Sequence, residues 1–384
     1  MEYFLTEEQK MIKEIAGNIT EERIKPVRAE LDEKEQFPWE IVKEIASADL
    51  FRVFIPEEYE GMGGGSLDLC IAVEELSRGC CGVSICYAAV ALATIPILRF
   101  GSPEQKQKYL PRIAGGRLGA FGLTEASAGS DVGNVKTRAE LDGEEYVLTG
   151  TKQFISNGGE AEIYSIIAST NPARGSRGAS AFIVEKDTPG FTFGKKEKKM
   201  GIRASATCEL VFQKCRVPRE NLIGKDGQGF IIALKTFDES RPGVAAQGVG
   251  LGQAALEESV AYSRQRVQFG HPISSFQAIQ HMLADMATQV EAARALVYTA
   301  ARTVDSGTAS FTEIGAMAKL FASDMAMKVT TDAVQIFGGP GYMRDYPVEK
   351  MMRDAKILQI YEGTNQVLRN DMVSHLYKRK GMNV

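Results

Sequence analysis

The chain has 384 residues, 44% of them hydrophobic, enough to bury a sizeable core shared among two or three subdomains. A net charge of −4 and a pI near 5.7 leave no polybasic face, which argues against nucleic acid or an anionic membrane surface as the main partner. The six cysteines (Cys70, Cys80, Cys81, Cys86, Cys208, Cys215) show no C-x-x-C spacing and the three histidines are scattered, so neither a disulfide framework nor a metal site is expected, and a reducing, cytoplasmic compartment fits.

The N-terminal stretch from Met1 to Glu8 lacks a basic segment followed by an apolar one, and no run of about 18 apolar residues is read anywhere. The expectation is a soluble chain with no membrane contact, or a mitochondrial matrix protein if a transit peptide has been removed. Thr6 with Gln9 reads as a capping box, followed by Met11, Ile12, Ile15, Ala16 and Ile19 on one helical face. Pro38 in a first turn opens a second helix through Ile41, Val42 and Ile45. Gly61 to Gly65 mark a loop before a third helix capped by Ser66. Ser102-Pro103-Glu104-Gln105 repeats the cap for a short helix that should end before Pro111.

From Leu118 the texture changes to short β-branched runs, Tyr146-Val147-Leu148-Thr149, Ile163–Ala168 and Ala181–Val184, between Gly, Asn and Asp turns. After Gly227-Gln228-Gly229 helical periodicity returns, and Ile279, Met282, Leu283, Met286, Val290, Ala293, Leu296, Val297 and Ala300 form one long packed stripe. Further helices are predicted near 312–336, 346–359 and 367–379. The reading is an α+β multidomain chain: an N-terminal helical domain (1–115), a small central β-barrel domain (116–228) and a C-terminal four-helix bundle (229–384).

Near the C-terminus, Tyr361-Glu362-Gly363-Thr364 sets a carboxylate between an aromatic ring and a glycine. It reads either as a connecting turn with a solvated glutamate or as a general base at the mouth of an apolar pocket, where desolvation raises proton affinity. Taken with Gln366, this string resembles the catalytic turn of the acyl-CoA dehydrogenases. Four other blocks match the same family in the same order: Leu123-Thr124-Glu125-Ala126-Ser127-Ala128-Gly129-Ser130-Asp131, Phe154-Ile155-Ser156-Asn157-Gly158, Arg266-Val267-Gln268-Phe269-Gly270 and Gln335-Ile336-Phe337-Gly338-Gly339. The resemblance covers essentially the whole chain.

What the resemblance implies is FAD-dependent α,β-dehydrogenation of an acyl-CoA, closest to the short-chain, butyryl-type members. Removing a weakly acidic α-proton needs a base and donors to the developing enolate, and a hydride acceptor must come from a cofactor. No G-x-G-x-x-G suggests a nicotinamide site. By the same resemblance, Phe121, Leu123 and Thr124 lie along the flavin, Phe154 covers its ring, and Ile155 and Ser156 sit beside it, with Ser156 bonding near N5. Many relatives have Trp and Thr in place of Phe154 and Ser156, which leaves the flavin potential as the property in question. Ser130 also touches the CoA side. Arg266 and Gln277 hold the FAD diphosphate and adenosine, and Gln335, Phe337, Gly338 and Gly339 reach a neighbouring subunit's FAD. Thr364 and Gln366 complete the cofactor set.

Asp238 and Arg241 match a D-x-x-R at the start of a CoA-contacting helix. Some relatives place the catalytic glutamate just before that arginine, but here the position is Ser240, so Glu362 is the candidate base. Tyr361 and Gly363 flank the substrate, and the Glu362 N–H with a ribityl hydroxyl forms the enolate-stabilising pair. Small residues Gly82, Ser84, Ala88, Ala89 and Ala91 fall in the stretch Cys80 to Pro96 expected to line the acyl pocket, unless the helix simply sits closer. An electron-transfer flavoprotein and a homotetramer are implied as partners. The rivals are an acyl-CoA oxidase, the same chemistry run as an enoyl-CoA reductase, and a DNA-binding relative, which would need a basic face.

Overall fold

The computed structural model describes residues 3–308 and 311–379; residues 1–2, 309–310 and 380–384 lie outside it. The N-terminal helices are α1 (Glu7–Ile19), α2 (Arg28–Lys34), α3 (Trp39–Ser47), α4 (Ser66–Gly79), α5 (Cys81–Phe100) and α6 (Pro103–Ala114). Thr6 caps α1 as expected, Gln9 N donating to its hydroxyl and Thr6 N to the Gln9 side chain. A π-helical turn at Thr20–Ile24 and the whole of α2 were not foreseen. Pro38 precedes α3 rather than lying in its first turn.

Two cap expectations need correction. Ser66 is the first residue of α4, and the N–H groups of Ser66 and Leu67 are accepted by Asp305 from the end of a distant helix, at 2.5 and 3.1 Å. Helix α6 does not stop before Pro111 but runs to Ala114. Burial of Tyr109, Leu110 and Ile113 holds that last turn despite the lost backbone donor. The apolar-run reading also fails: Cys81–Phe100 is long and apolar enough to cross a membrane, although most of it is buried inside the fold, against α4 and the sheet.

The β unit is one eight-stranded sheet of β1 (Gly119–Gly122), β2 (Arg138–Asp142), β3 (Glu145–Ser156), β4 (Ile163–Ser169), β5 (Ala179–Glu185), β6 (Phe191–Lys196), β7 (Thr207–Pro218) and β8 (Leu222–Ile223). The order is β6-β7-β3-β2-β4-β5-β8, with β1 added parallel to β4 and the end strands not paired to each other. All seven residues of β4 are buried, as expected for a strand covered on both faces, here by α5 on one side.

The C-terminal helices are α7 (Gly229–Gln265), α8 (Gln277–Asp305), α9 (Phe311–Phe337), α10 (Val348–Leu358) and α11 (Asn365–Arg379). Helix α7 is the spine, packed on α4, α5, α8, α9 and α10. Gly250 permits the closest approach, since a Cβ there would stand 2.1 Å from the Glu74 carbonyl oxygen on α4. On α8, the predicted stripe is buried at Met286, Val290, Ala293, Val297 and Ala300, and only partly so at Ile279, Met282, Leu283 and Leu296.

Candidate active site

Helix α10 ends at Leu358 and α11 begins at Asn365, so residues 359–364 must reverse the chain. Ile360 N and Tyr361 N bond back to Ile357 O, and Asn365 N closes the loop on Gln359 O at 3.1 Å. Two successive residues then take left-handed backbone, Glu362 at φ 50° and Gly363 at φ 91°. Gly363 adopts this freely, but Glu362 does so at a cost, and such a residue persists only where its surroundings over-determine it. The surroundings here are polar and buried. Thr364 Oγ1 accepts Val367 N as the cap of α11, and Asn365 Nδ2 donates to Ser323 Oγ and Asp324 Oδ1 on α9.

The turn presents Glu362 toward α7, half-buried, where its Oε2 accepts a 2.5 Å hydrogen bond from Ser240 Oγ. Burial lifts the Glu362 carboxyl above the usual carboxylate range, while the Ser240 hydrogen bond and the charges of Lys319 and Arg241 pull it partly back. Of the two readings of this glutamate, the freely solvated turn residue is not what the structure has. Tyr361 turns inward, its hydroxyl 2.6 Å from Gln247 Oε1, and burial pushes its phenol upward.

Asp238 and Arg241 lie well inside α7 rather than at a helix start, because α7 begins at Gly229. Both are buried, and they bond each other at 3.2 Å. Asp238 also accepts from Thr312, and Arg241 reaches Asp371 at 3.3 Å. The Arg241 Nε is buried and has no hydrogen-bond partner among the described residues.

The residues assigned to the flavin form a second patch. Phe121 and Leu123 are buried, the former edge-on to Phe237 of α7, one residue from Asp238. Gln153 N bonds Thr124 O at 2.8 Å. A bulge between Lys152 and Ile155 in the β3–β7 pairing turns Phe154 outward at φ 58° and 59% exposure, while Ile155 stays buried and Ser156 half-buried. Ala126, Ser127, Gly129 and Ser130 are exposed, and a Cβ on Gly129 would meet nothing within 4 Å. An outward ring beside small, open backbone suits a planar cofactor, so the residues present fit FAD.

A third set lies apart: no hydrogen bond or ring contact joins it to Phe154, Ser156 or Glu362 among the described residues. Arg266 follows α7 with an exposed guanidinium that has no partner among the described residues, and Gln277 opens α8, also exposed. Between them a short hairpin holds up Phe269, 92% exposed. Gln335, Gly338 and Gly339 are exposed, with open space around both glycines. Phe337 differs: its ring is buried and stacked on Tyr262 at 4.0 Å, so it faces its own chain.

In the proposed acyl region, Ser84 is buried and donates to Val73 O, and Gly82 packs against the backbone of Ile202 and Ala204. At Gly82, therefore, the small residue serves close packing. Buried polar residues not singled out from sequence include Lys319, which donates to Gly363 O, Gln247, and Lys152, paired with Glu125 at 2.6 Å. Among the described residues no cluster of potential metal ligands occurs, and all six cysteines are free and buried.

The models for the N-terminal, middle and C-terminal domains of acyl-CoA dehydrogenase match residues 6–117, 120–215 and 227–377. The chain is 49% identical over 382 residues to acryloyl-CoA reductase (NADH) of Anaerotignum propionicum, covering 99% of this chain and 97% of that one. It superposes at a TM-score of 0.96 on butyryl-CoA dehydrogenase of Megasphaera elsdenii, with 47% identity and coverage of 98% and 100%. The same TM-score, with 51% identity and coverage of 98% and 99%, relates it to a chain in a solved structure of the electron transferring flavoprotein of Acidaminococcus fermentans, described in connection with flavin-based electron bifurcation. The chain belongs to the acyl-CoA dehydrogenase family of FAD-binding oxidoreductases.

Proposed function

We propose that this protein dehydrogenates a short-chain acyl-CoA to the 2-enoyl-CoA, with Glu362 as the base. The observation that carries the reading is the Glu362 turn: a carboxylate on strained backbone, desolvated, and tied to a hydroxyl on α7. FAD, when bound, supplies the acceptor for the two electrons and the β-hydrogen. Glu362 takes the α-proton, and its own backbone N–H steadies the charge that develops on the thioester oxygen. Arg241 and Ser130 contact the CoA portion, and Phe154 and Ser156 line the isoalloxazine.

Short-chain preference is supported by the similarity to the butyryl-CoA enzyme of Megasphaera elsdenii. The Acidaminococcus fermentans relative supports an electron-transferring flavoprotein as redox partner, and exposed Phe269 and Gly338-Gly339 support a homotetramer in which subunits share cofactor sites. A second reading, the same chemistry run toward the saturated acyl-CoA, is favoured by the identity to acryloyl-CoA reductase. The deciding experiment is anaerobic titration of the yellow holoenzyme with a panel of acyl-CoAs and, after chemical reduction, with enoyl-CoAs. Bleaching by butyryl-CoA supports the first direction. Faster reoxidation by a short enoyl-CoA supports the second, and no response to any thioester sinks both.

A further inference from the structure

Beneath the Glu362 turn lies a cation that no motif includes. Lys319, on α9, has no exposed surface, and its Nζ donates to Gly363 O at 2.7 Å and to Asn365 Oδ1 at 3.2 Å. Among the described residues it makes no ion pair within 4 Å, so the ammonium is buried against neutral oxygens. That arrangement is costly, and an uncharged side chain would fill the same volume more cheaply. A reason for the charge must lie beyond the first hydrogen bonds, and the Glu362 carboxylate, on the residue before the carbonyl that Lys319 holds, carries a charge that opposes the effect of burial on Lys319. Burial outweighs the opposing charge of the glutamate and leaves the lysine at about 8.

We propose that Lys319 is a positioning residue for the base: it draws the Gly363 carbonyl inward, which fixes the two left-handed residues, and stands behind Glu362 as the positive charge that keeps the carboxylate ionised in a desolvated place. The proposal rests on Glu362 being the base. The charged and titratable groups packed around the turn come from five helices. Arg241 and Asp238 lie on α7, Asp324 on α9, Asp354 on α10, Asp371 and Arg369 on α11 and Cys81 on α5, with Tyr361 on the turn itself. Most are already committed to one another. Arg241 spans Asp238 and Asp371, Asp324 takes Arg369 and Gln359, and Asp354 takes Lys350 and Ile202 N. Among the described residues, Lys319 is the cation near Glu362 whose charge is not already matched by a carboxylate in contact.

The test is the protonation midpoint of Glu362 in the FAD-loaded protein, followed by infrared titration of its carboxyl band, which is assigned by its loss in Glu362→Gln. Lys319→Met should raise that midpoint by about one pH unit, as expected for removing a nearby opposite charge. Below both midpoints, anaerobic flavin reduction by butyryl-CoA should slow about tenfold for each pH unit by which the midpoint rises, while binding of the thioester is kept. An unmoved midpoint, with only lower thermal stability, makes Lys319 a structural clamp and overturns the proposal. If Lys319→Met does not fold, Lys319→Met with Glu362→Gln should restore folding and FAD uptake, because it removes the stranded carboxylate too. Failure of the double variant also overturns it. Normal flavin reduction in Glu362→Gln sinks the base assignment and this proposal together, whereas an inactive Glu362→Gln with an unmoved midpoint sinks this proposal alone.

Discussion

Ser240 Oγ, on the spine helix α7, donates a 2.5 Å hydrogen bond to Glu362 Oε2 on the turn between α10 and α11, joining elements 122 residues apart. The bond stabilises the ionised carboxylate and fixes its rotamer, and it acts against the burial that favours the protonated form. A hydrogen bond to a charged group contributes about 1.5–3 kcal/mol, equivalent to roughly one to two pH units. Because the proposed base works ionised, the rate of flavin reduction should rise with pH through the Glu362 midpoint. Ser240→Ala should move that midpoint upward, and Ser240→Thr should keep it. A stopped-flow pH profile for Ser240→Ala that overlays wild type would show that the hydroxyl does not tune the base.

Glu362→Gln keeps the size of the side chain and removes the proton acceptor. Flavin reduction by butyryl-CoA should fall by at least about two orders of magnitude, in line with the contribution of a general base. The variant should still take up FAD and give a spectrally visible complex with a CoA thioester, since Ser130, Arg241 and the backbone donor at 362 are unchanged. Glu362→Asp retains the acid but withdraws it by one methylene, and a displacement of about 1 Å can cost on the order of a hundredfold. Near-normal reduction in Glu362→Gln would place the base elsewhere, with Glu239 the next position to test.

The helices with strong periodicity and the strands with β-branched runs were legible because pattern and burial coincide, as on α8 and β4. The Glu362 turn was legible through Gly363, whose positive φ the sequence suggests. That Glu362 itself is also left-handed was not, because nothing local distinguishes it. Pro111 misled because the packing of Leu110 and Ile113 carries α6 past it. The buried cations were illegible for a different reason: lysine is read as surface, and the partners of Lys319 and Lys152 lie 44 and 27 residues away. One signal was present for Lys319. It is a lone cation in Ile314-Gly315-Ala316-Met317-Ala318-Lys319-Leu320-Phe321-Ala322, a stretch apolar all round, which marks a buried helix.

Glu125 sits in the motif expected to run along the flavin, yet its side chain turns into the fold. It pairs with fully buried Lys152 at 2.6 Å and accepts the backbone N–H of Lys136 and Thr137, while Lys152 also holds Leu123 O. Burial outweighs the opposing Glu125 charge and leaves Lys152 at about 8. The pair therefore ties the segment after β1, Leu123 to Glu125, to β3 under the cofactor patch. Glu125→Gln leaves the ammonium buried and unpaired, so unfolding free energy should fall by about 3–5 kcal/mol. Lys152→Met with Glu125→Gln should recover part of the loss, since neither charge is then stranded. Denaturant unfolding of the FAD-loaded proteins measures this, and a single variant as stable as wild type would show that the pair is not holding the strands.

Arg266 carries the proposed diphosphate contact, and its position distinguishes that role from a packing one. The residue follows the last turn of α7, its carbonyl accepts Ile273 N at 2.8 Å, and its guanidinium is exposed without a partner among the described residues. Removing it should cost the fold little, because exposed side chains away from caps and cores change stability by about 0.5 kcal/mol or less. A planar guanidinium loses paired, charge-assisted bonds to an anion when it is deleted, and Lys restores only a point charge. Arg266→Ala should therefore release FAD far more readily on dilution or gel filtration while the apoprotein melts as wild type does, and Arg266→Lys should fall between them. If Arg266→Ala holds FAD like wild type, the exposed arginine is an ordinary surface cation and the diphosphate must be held by other residues, with Gln277 and the open Gly338-Gly339 segment the next to test.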